Sequence, residues 1–172
     1  MDHQLVKRTD IDFLWRYLPG VLVYALAWPV LAWITEFNLQ EPNISNTFTA
    51  LFIGISAIRL LHAYSTEQVY DRYTKLWRFV LFALSYAHAI TLSSLMVIML
   101  LTPRFDDQVM ATALITVGLV SGAVASLTPK PMFTQIYVAI LVVPTILVSV
   151  FHPKFNYLLP LFLILWAYYI FM

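Results

Sequence analysis

Residues 76–101, LWRFVLFALSYAHAITLSSLMVIMLL, form a run of 26 residues that contains only one Lys, Arg, Asp or Glu. A transmembrane helix needs roughly 20 mostly apolar residues, so this stretch can cross a bilayer. Continuous apolar runs, without alternation at every second residue, favour helices over barrel strands. Five more runs of this kind accompany it: 18–35, 44–61, 109–127, 133–151 and 155–172.

The composition points to the same class of protein. Of the 172 residues, 61% are apolar and 11% are charged, whereas soluble domains average about 45–50% and about 25%. The chain has no cysteine and a net charge of +1, which excludes thiolate chemistry and gives no footprint for nucleic acid. We predict an all-α integral membrane bundle of six transmembrane helices over residues 18–172, a cytoplasmic segment over residues 1–17, and no cofactor or metal.

The distribution of cations predicts the orientation. Cytoplasmic loops of membrane proteins are enriched in Lys and Arg. Six spans with both ends in the cytoplasm place eight cations inside and only Arg104 and Lys154 outside. This N-in/C-in arrangement suits a multi-pass protein of the bacterial inner membrane. The last span reaches Met172 without a cationic anchor, so we expect further chain beyond it. The eight inner cations are Lys7, Arg8, Arg16, Arg59, Arg72, Lys75, Arg78 and Lys130.

Several local stretches resemble a known family. They are Arg59-Leu60-Leu61, Trp77-Arg78-Phe79, residues 118–127, and the Pro144 span followed by the Pro160 span. Together they resemble the six-helix N-terminal membrane sensor modules of bacterial sensor histidine kinases and diguanylate cyclases. The resemblance implies a receptor domain in signal transduction, which works as a homodimer and relays a signal through its last helix to a cytoplasmic output enzyme. These residues themselves carry no catalytic motif.

Three ionisable residues lie within the predicted spans. Arg59 and Arg78 are two residues from a span end, so we expect both to extend toward the inner phosphates. His88 is the thirteenth residue of its 26-residue span, close to the midplane, where an ionisable side chain is a functional candidate. His88 either binds a ligand or senses protons, or its ring has a structural role and forms a hydrogen bond with a neighbouring helix.

Prolines and hydroxyls occur at matching depths and suggest a pocket. Pro29, Pro144 and Pro160 lie roughly 8–10 Å below the predicted outer surface, where a proline kinks a helix and frees carbonyl groups. We predict that a small hydrophobic ligand binds there and that Pro144 and Pro160 relay the signal. The candidate ligand contacts are His88, Thr49, Ser93, Ser94, Thr116 and Tyr86.

Small residues recur every fourth position in the fourth span, at Gly118, Gly122 and Ser126. This spacing favours close helix packing, within the bundle or at a dimer face. Two other functions stay open from the sequence. One is a small six-span transporter or channel subunit, in which His88 lines the pathway. The other is a structural partner in a larger membrane complex.

Overall fold

A computed structural model describes residues 3–102, 105–127, 130–151 and 158–171. Within these ranges every regular element is a helix, which confirms the all-α prediction. Arg104 and Lys154 lie outside the described residues, as does the side chain of Ser126. The helices are α1 (His3–Ile34), α2 (Phe37–Gln40), α3 (Pro42–Tyr64), α4 (Thr66–Leu101), α5 (Asp106–Leu127), α6 (Pro131–Phe151) and α7 (Leu158–Phe171).

Four helices, α1, α3, α4 and α6, are long and apolar enough to cross a membrane. The apolar parts described for α5 and α7 are shorter, 108–123 and 158–167. The chain is therefore built as a multi-pass membrane protein. The helix α4 lies at the centre and packs against α3, α5 and α6. On one side α1 packs against α3 and α5, whereas α7 contacts α6 and α5 at the edge.

The two longest helices extend beyond the predicted spans. The polar N-terminal segment continues into the first span as one helix, because Phe13 and Leu14 pack into the core. Similarly, α4 begins ten residues before the predicted span and bends at Tyr73, whose φ of −135° and ψ of 45° are not helical. Tyr70, in this extension, is buried. The connection between the second and third spans therefore packs against the bundle through Tyr70, while Glu67, Asp71 and Arg72 on it are exposed.

The prolines differ in what they do to their helices. Pro29 and Pro144 lie inside α1 and α6, as predicted, and Pro19 is a second proline inside α1. Pro160 is the third residue of α7, in the first turn, where backbone N–H groups have no partner within the helix. A proline there removes no helical hydrogen bond and causes no kink. The structure therefore gives no support to the kink expected at Pro160.

Candidate functional site

A buried polar centre joins three helices in the middle of the bundle. His88 on α4 is 0% exposed, and Arg59 and Ser56 on α3 are each 3% exposed. Arg59 Nη1 donates a hydrogen bond to His88 Nδ1. On the other side of the ring, His88 Nε2 lies 3.2 Å from Ser56 Oγ and 3.3 Å from the Phe52 carbonyl oxygen. Ser56 Oγ in turn donates to the Val21 carbonyl of α1 at 3.1 Å.

The donor and acceptor chemistry gives this chain of hydrogen bonds a direction. A guanidinium can only donate, so His88 Nδ1 accepts. The proton of the neutral ring then sits on Nε2, which donates to Ser56 Oγ and to the Phe52 carbonyl. Arg59 therefore donates to His88, His88 donates to Ser56, and Ser56 donates to the Val21 carbonyl. Buried hydrogen-bond networks of this kind fix the relative positions of the helices that carry them.

The position of Arg59 differs from the sequence prediction. We expected its side chain to extend to the inner phosphates, but it points into the bundle and contacts His88. The reason is the length of α3, which continues to Tyr64, three residues beyond the predicted end, so that Arg59 lies nearly one turn deeper. Ser56 and Arg59 share one helix face at a spacing of three residues. That spacing, opposite a histidine in the next span, is the signal that sequence reasoning missed.

Two tyrosines extend the centre to α6. The Tyr24 ring of α1 stacks on the His88 ring, with centroids 4.5 Å apart and planes inclined by 10°. The Tyr24 hydroxyl forms a hydrogen bond with the Tyr137 hydroxyl of α6. The polar centre therefore connects α1, α3, α4 and α6. A displacement of any one of these helices disturbs contacts made by the other three.

A cavity of about 400 Å³ adjoins this centre. Its polar wall consists of Arg59, Ser85, Tyr24 and Tyr137, and Arg16 lies at its edge. The rest of the wall is apolar or glycine and comes from α1, α5 and α6. The remaining lining residues are Pro19, Gly20, Val23, Ala27, Ile115, Gly118, Leu119, Gly122, Ala123 and Phe133.

Three of the residues that line this cavity are glycines. A Cβ atom added to Gly20, Gly118 or Gly122 would meet no heavy atom within 4 Å beyond its own local backbone. Further along the same two helices, Trp28 of α1 and Thr112 of α5 line a space of only about 10 Å³. The helices α1 and α5 thus pack closely there and leave a cleft at the glycines. Gly118 and Gly122 do not make the close packing within the bundle that their spacing predicted.

The predicted outer pocket assembles only in part. Ser93, Ser94 and Pro144 line one groove of about 650 Å³ between α4 and α6. Thr49 on α3 and Thr116 on α5 do not line it. The Thr116 hydroxyl donates instead to the Thr112 carbonyl of its own helix at 2.9 Å.

The other two candidate ligand contacts, Tyr86 and His88, do not line the groove either. The Tyr86 ring packs against the Phe133 ring, with centroids 5.1 Å apart and planes inclined by 31°. His88 belongs to the polar centre and lines neither the groove nor the cavity beside Arg59. The six candidate contacts therefore do not share one site.

A second charged cluster fixes the N-terminal part of α1 to α4 and to Lys130, the residue that precedes α6. The Asp10 carboxylate is buried and accepts hydrogen bonds from Tyr70 Oη at 2.7 Å, Arg78 Nε at 2.6 Å and Lys130 Nζ at 2.6 Å. Arg78, which we expected to reach the inner phosphates, is thus held by Asp10. Burying a carboxylate is costly unless charged partners surround it. This cluster meets that condition.

Comparisons of the chain with protein-family models, with curated proteins and with solved structures found no match. In the part of the chain that the structure describes, no three His, Asp or Glu residues are grouped so that they could hold a metal ion.

Proposed function

We propose that this chain is the membrane-embedded sensory input domain of a bacterial signalling protein, a histidine kinase or a cyclic-di-GMP enzyme. A small hydrophobic molecule binds in the cavity beside Arg59, and the last helices relay its presence to a cytoplasmic output domain. One observation carries the proposal: Tyr24, Arg59 and Tyr137 line the cavity and also belong to the polar centre that joins four helices.

The proposal includes six spans with both ends in the cytoplasm of a bacterial inner membrane. At a rise of about 1.5 Å per residue, the 22 residues of α5 extend for about 33 Å, close to the thickness of the hydrocarbon core. The orientation is supported by the Asp10 cluster, since Arg78 and Lys130 meet at one end of the bundle. Both are cations that the charge bias assigns to the cytoplasm.

The relay follows from the contacts around the cavity. A ligand that displaces Tyr137 from Tyr24 moves α6 relative to α1. Because α7 packs against α6, a shift of α6 reaches the last helix directly. Small helix shifts of about 1–2 Å are an established form of switching between two packed states.

The test fills the cavity and measures output. The native gene product is first isolated from its own membranes, and its intact mass is measured. A mass well above the 19.8 kDa of these residues supports an attached output domain, whose activity is then assayed. Gly118→Leu places a side chain in open space of the cavity. Gly54→Leu on α3, also without a neighbour within 4 Å but away from the cavity, is the matched control.

We expect Gly118→Leu to fix the output in one state that no longer responds to a stimulus, while Gly54→Leu responds normally. Equal responses of both variants would contradict the sensory role.

A second candidate function, a small transporter, is favoured by the Arg59–His88 pair inside a span, because buried ionisable residues often mark transport pathways. Uptake of a hydrophobic solute by proteoliposomes, lost in Gly118→Leu, would support the transporter instead.

A further inference from the structure

We propose that the ligand of the cavity is a single-chain amphiphile with an anionic carboxylate headgroup, such as a medium-chain fatty acid. This inference rests on the proposed function, in which the cavity is the binding site. It specifies the chemical class of the ligand from the charge, the shape and the position of the cavity.

The charge of the wall selects an anion. Two arginines, Arg59 and Arg16, are among the residues that line the cavity, and no Asp or Glu is among the described lining residues. A guanidinium presents five N–H donors in a planar fork that matches a carboxylate. Arg59 bonds to His88 through Nη1 and also lines the cavity. Tyr24 and Tyr137 also line the cavity, and their hydroxyls bond to each other, while the Ser85 hydroxyl donates to the Leu81 carbonyl of its own helix at 2.7 Å. The charge that the lining offers to a headgroup therefore comes from the two arginines.

The rest of the cavity suits one alkyl chain. Beyond the polar wall, the lining consists of apolar side chains and glycines, among them Val23, Ile115 and Leu119. If each heavy atom occupies about the ~30 Å³ that a water molecule takes in the liquid, the cavity of about 400 Å³ holds roughly 13 heavy atoms. Decanoate is about this size, whereas a phospholipid with two chains is several times larger.

The cavity is placed so that such a chain can reach it from the bilayer. Gly118 and Gly122 line the cleft between α1 and α5 and are themselves exposed at the bundle surface. In a membrane, this surface faces lipid chains. A fatty acid dissolved in the leaflet can therefore slide its alkyl chain between the helices while its carboxylate stays at the level of Arg16 and Arg59.

The experiment measures binding of radiolabelled decanoate to the full chain in phosphatidylcholine nanodiscs, with empty nanodiscs as the background. We expect saturable binding of about one molecule per chain. The matched competitors are decanol, which has the same chain without charge, and decyltrimethylammonium, which carries the opposite charge. Loss of a charge-assisted hydrogen bond predicts that decanol competes about tenfold less well than unlabelled decanoate.

Substitutions of Arg59 test whether this residue binds the headgroup of the ligand. Arg59→Gln should weaken decanoate binding about tenfold or more, Arg59→Lys should restore part of it, and Arg72→Gln should leave it unchanged because Arg72 is exposed and does not line the cavity. If Arg59→Gln is not folded, the comparison of headgroups on the wild-type chain still decides. Equal competition by decanol and decanoate would overturn the proposal.

The two proposals fail separately. If Gly118→Leu fixes the output but no decanoate binds, the chain is a sensor for another class of ligand. If decanoate binds with the expected preference and Gly118→Leu leaves the output responsive, the binding site exists without the sensory role.

Discussion

The contact between Arg59 and His88 predicts a measurable coupling between the two residues. His88→Phe removes the Nδ1 acceptor and leaves the buried guanidinium of Arg59 without this bond. Arg59→Met removes the guanidinium and leaves Nδ1 unsatisfied. A hydrogen bond to a charged group contributes about 1.5–3 kcal/mol in water-soluble proteins, whereas hydrogen bonds between membrane helices average about 0.6 kcal/mol and reach about 1.7. Because both groups are almost fully buried, we expect a coupling near 1–2 kcal/mol.

The assay is a double-mutant cycle on the free energy of unfolding, measured by titration with denaturing detergent in mixed micelles. The double variant should be destabilised by about 1–2 kcal/mol less than the sum of the two single variants. The control cycle combines His88→Phe with Arg72→Met. Arg72 lies sixteen residues from His88 on α4, so their effects should add to within about 0.5 kcal/mol. Additivity in the first cycle would refute the buried Arg59–His88 contact.

Three further predictions concern the rest of the bundle. Asp10→Asn should destabilise the fold by about 2 kcal/mol in the same unfolding assay, because it leaves two cations without their buried carboxylate. The control, Asp71→Asn, removes an exposed ion pair and should destabilise the fold by less than about 1 kcal/mol. Tyr137→Phe should cost about 1 kcal/mol through the lost hydroxyl pair, measured by unfolding against the wild-type chain. Since the chain has no native cysteine, single variants can report topology: in intact cells an impermeant maleimide should label Asn43→Cys and spare Glu67→Cys, and the reverse pattern would contradict the proposed orientation.

The sequence was sufficient to predict an all-helical fold. In a membrane, a continuous apolar run of about 20 residues can satisfy its backbone hydrogen bonds within one segment only as a helix. It was less reliable at helix ends. The run ending at Leu61 is followed by His62 and Tyr64, which are polar enough to mark a span end but continue the helix. This small extension changed the depth of Arg59. Whether a cation near a span end turns outward or inward depends on the acceptor opposite it, which only the packing of α3 against α4 supplies.

The pocket shows a second limit of sequence reasoning. Matching depth placed hydroxyls in one layer, but depth does not say which face of a helix a residue occupies in the bundle. Thr116 therefore bonds within its own helix, while Ser93 and Ser94 face a groove. Glycines spaced by four residues fit close packing and an open cleft equally well. The distance between α1 and α5, which long-range packing determines, decides between them.

The proposed ligand site, the cleft between α1 and α5, can be located by photolabelling the chain with a decanoate that carries a diazirine at the end of its alkyl chain, followed by mass-spectrometric mapping. We expect adducts at residues such as Val23 and Leu119, which line the cleft, and their suppression by excess decanoate. Adducts centred on Ile90 and Val143, in the groove between α4 and α6, would contradict this location.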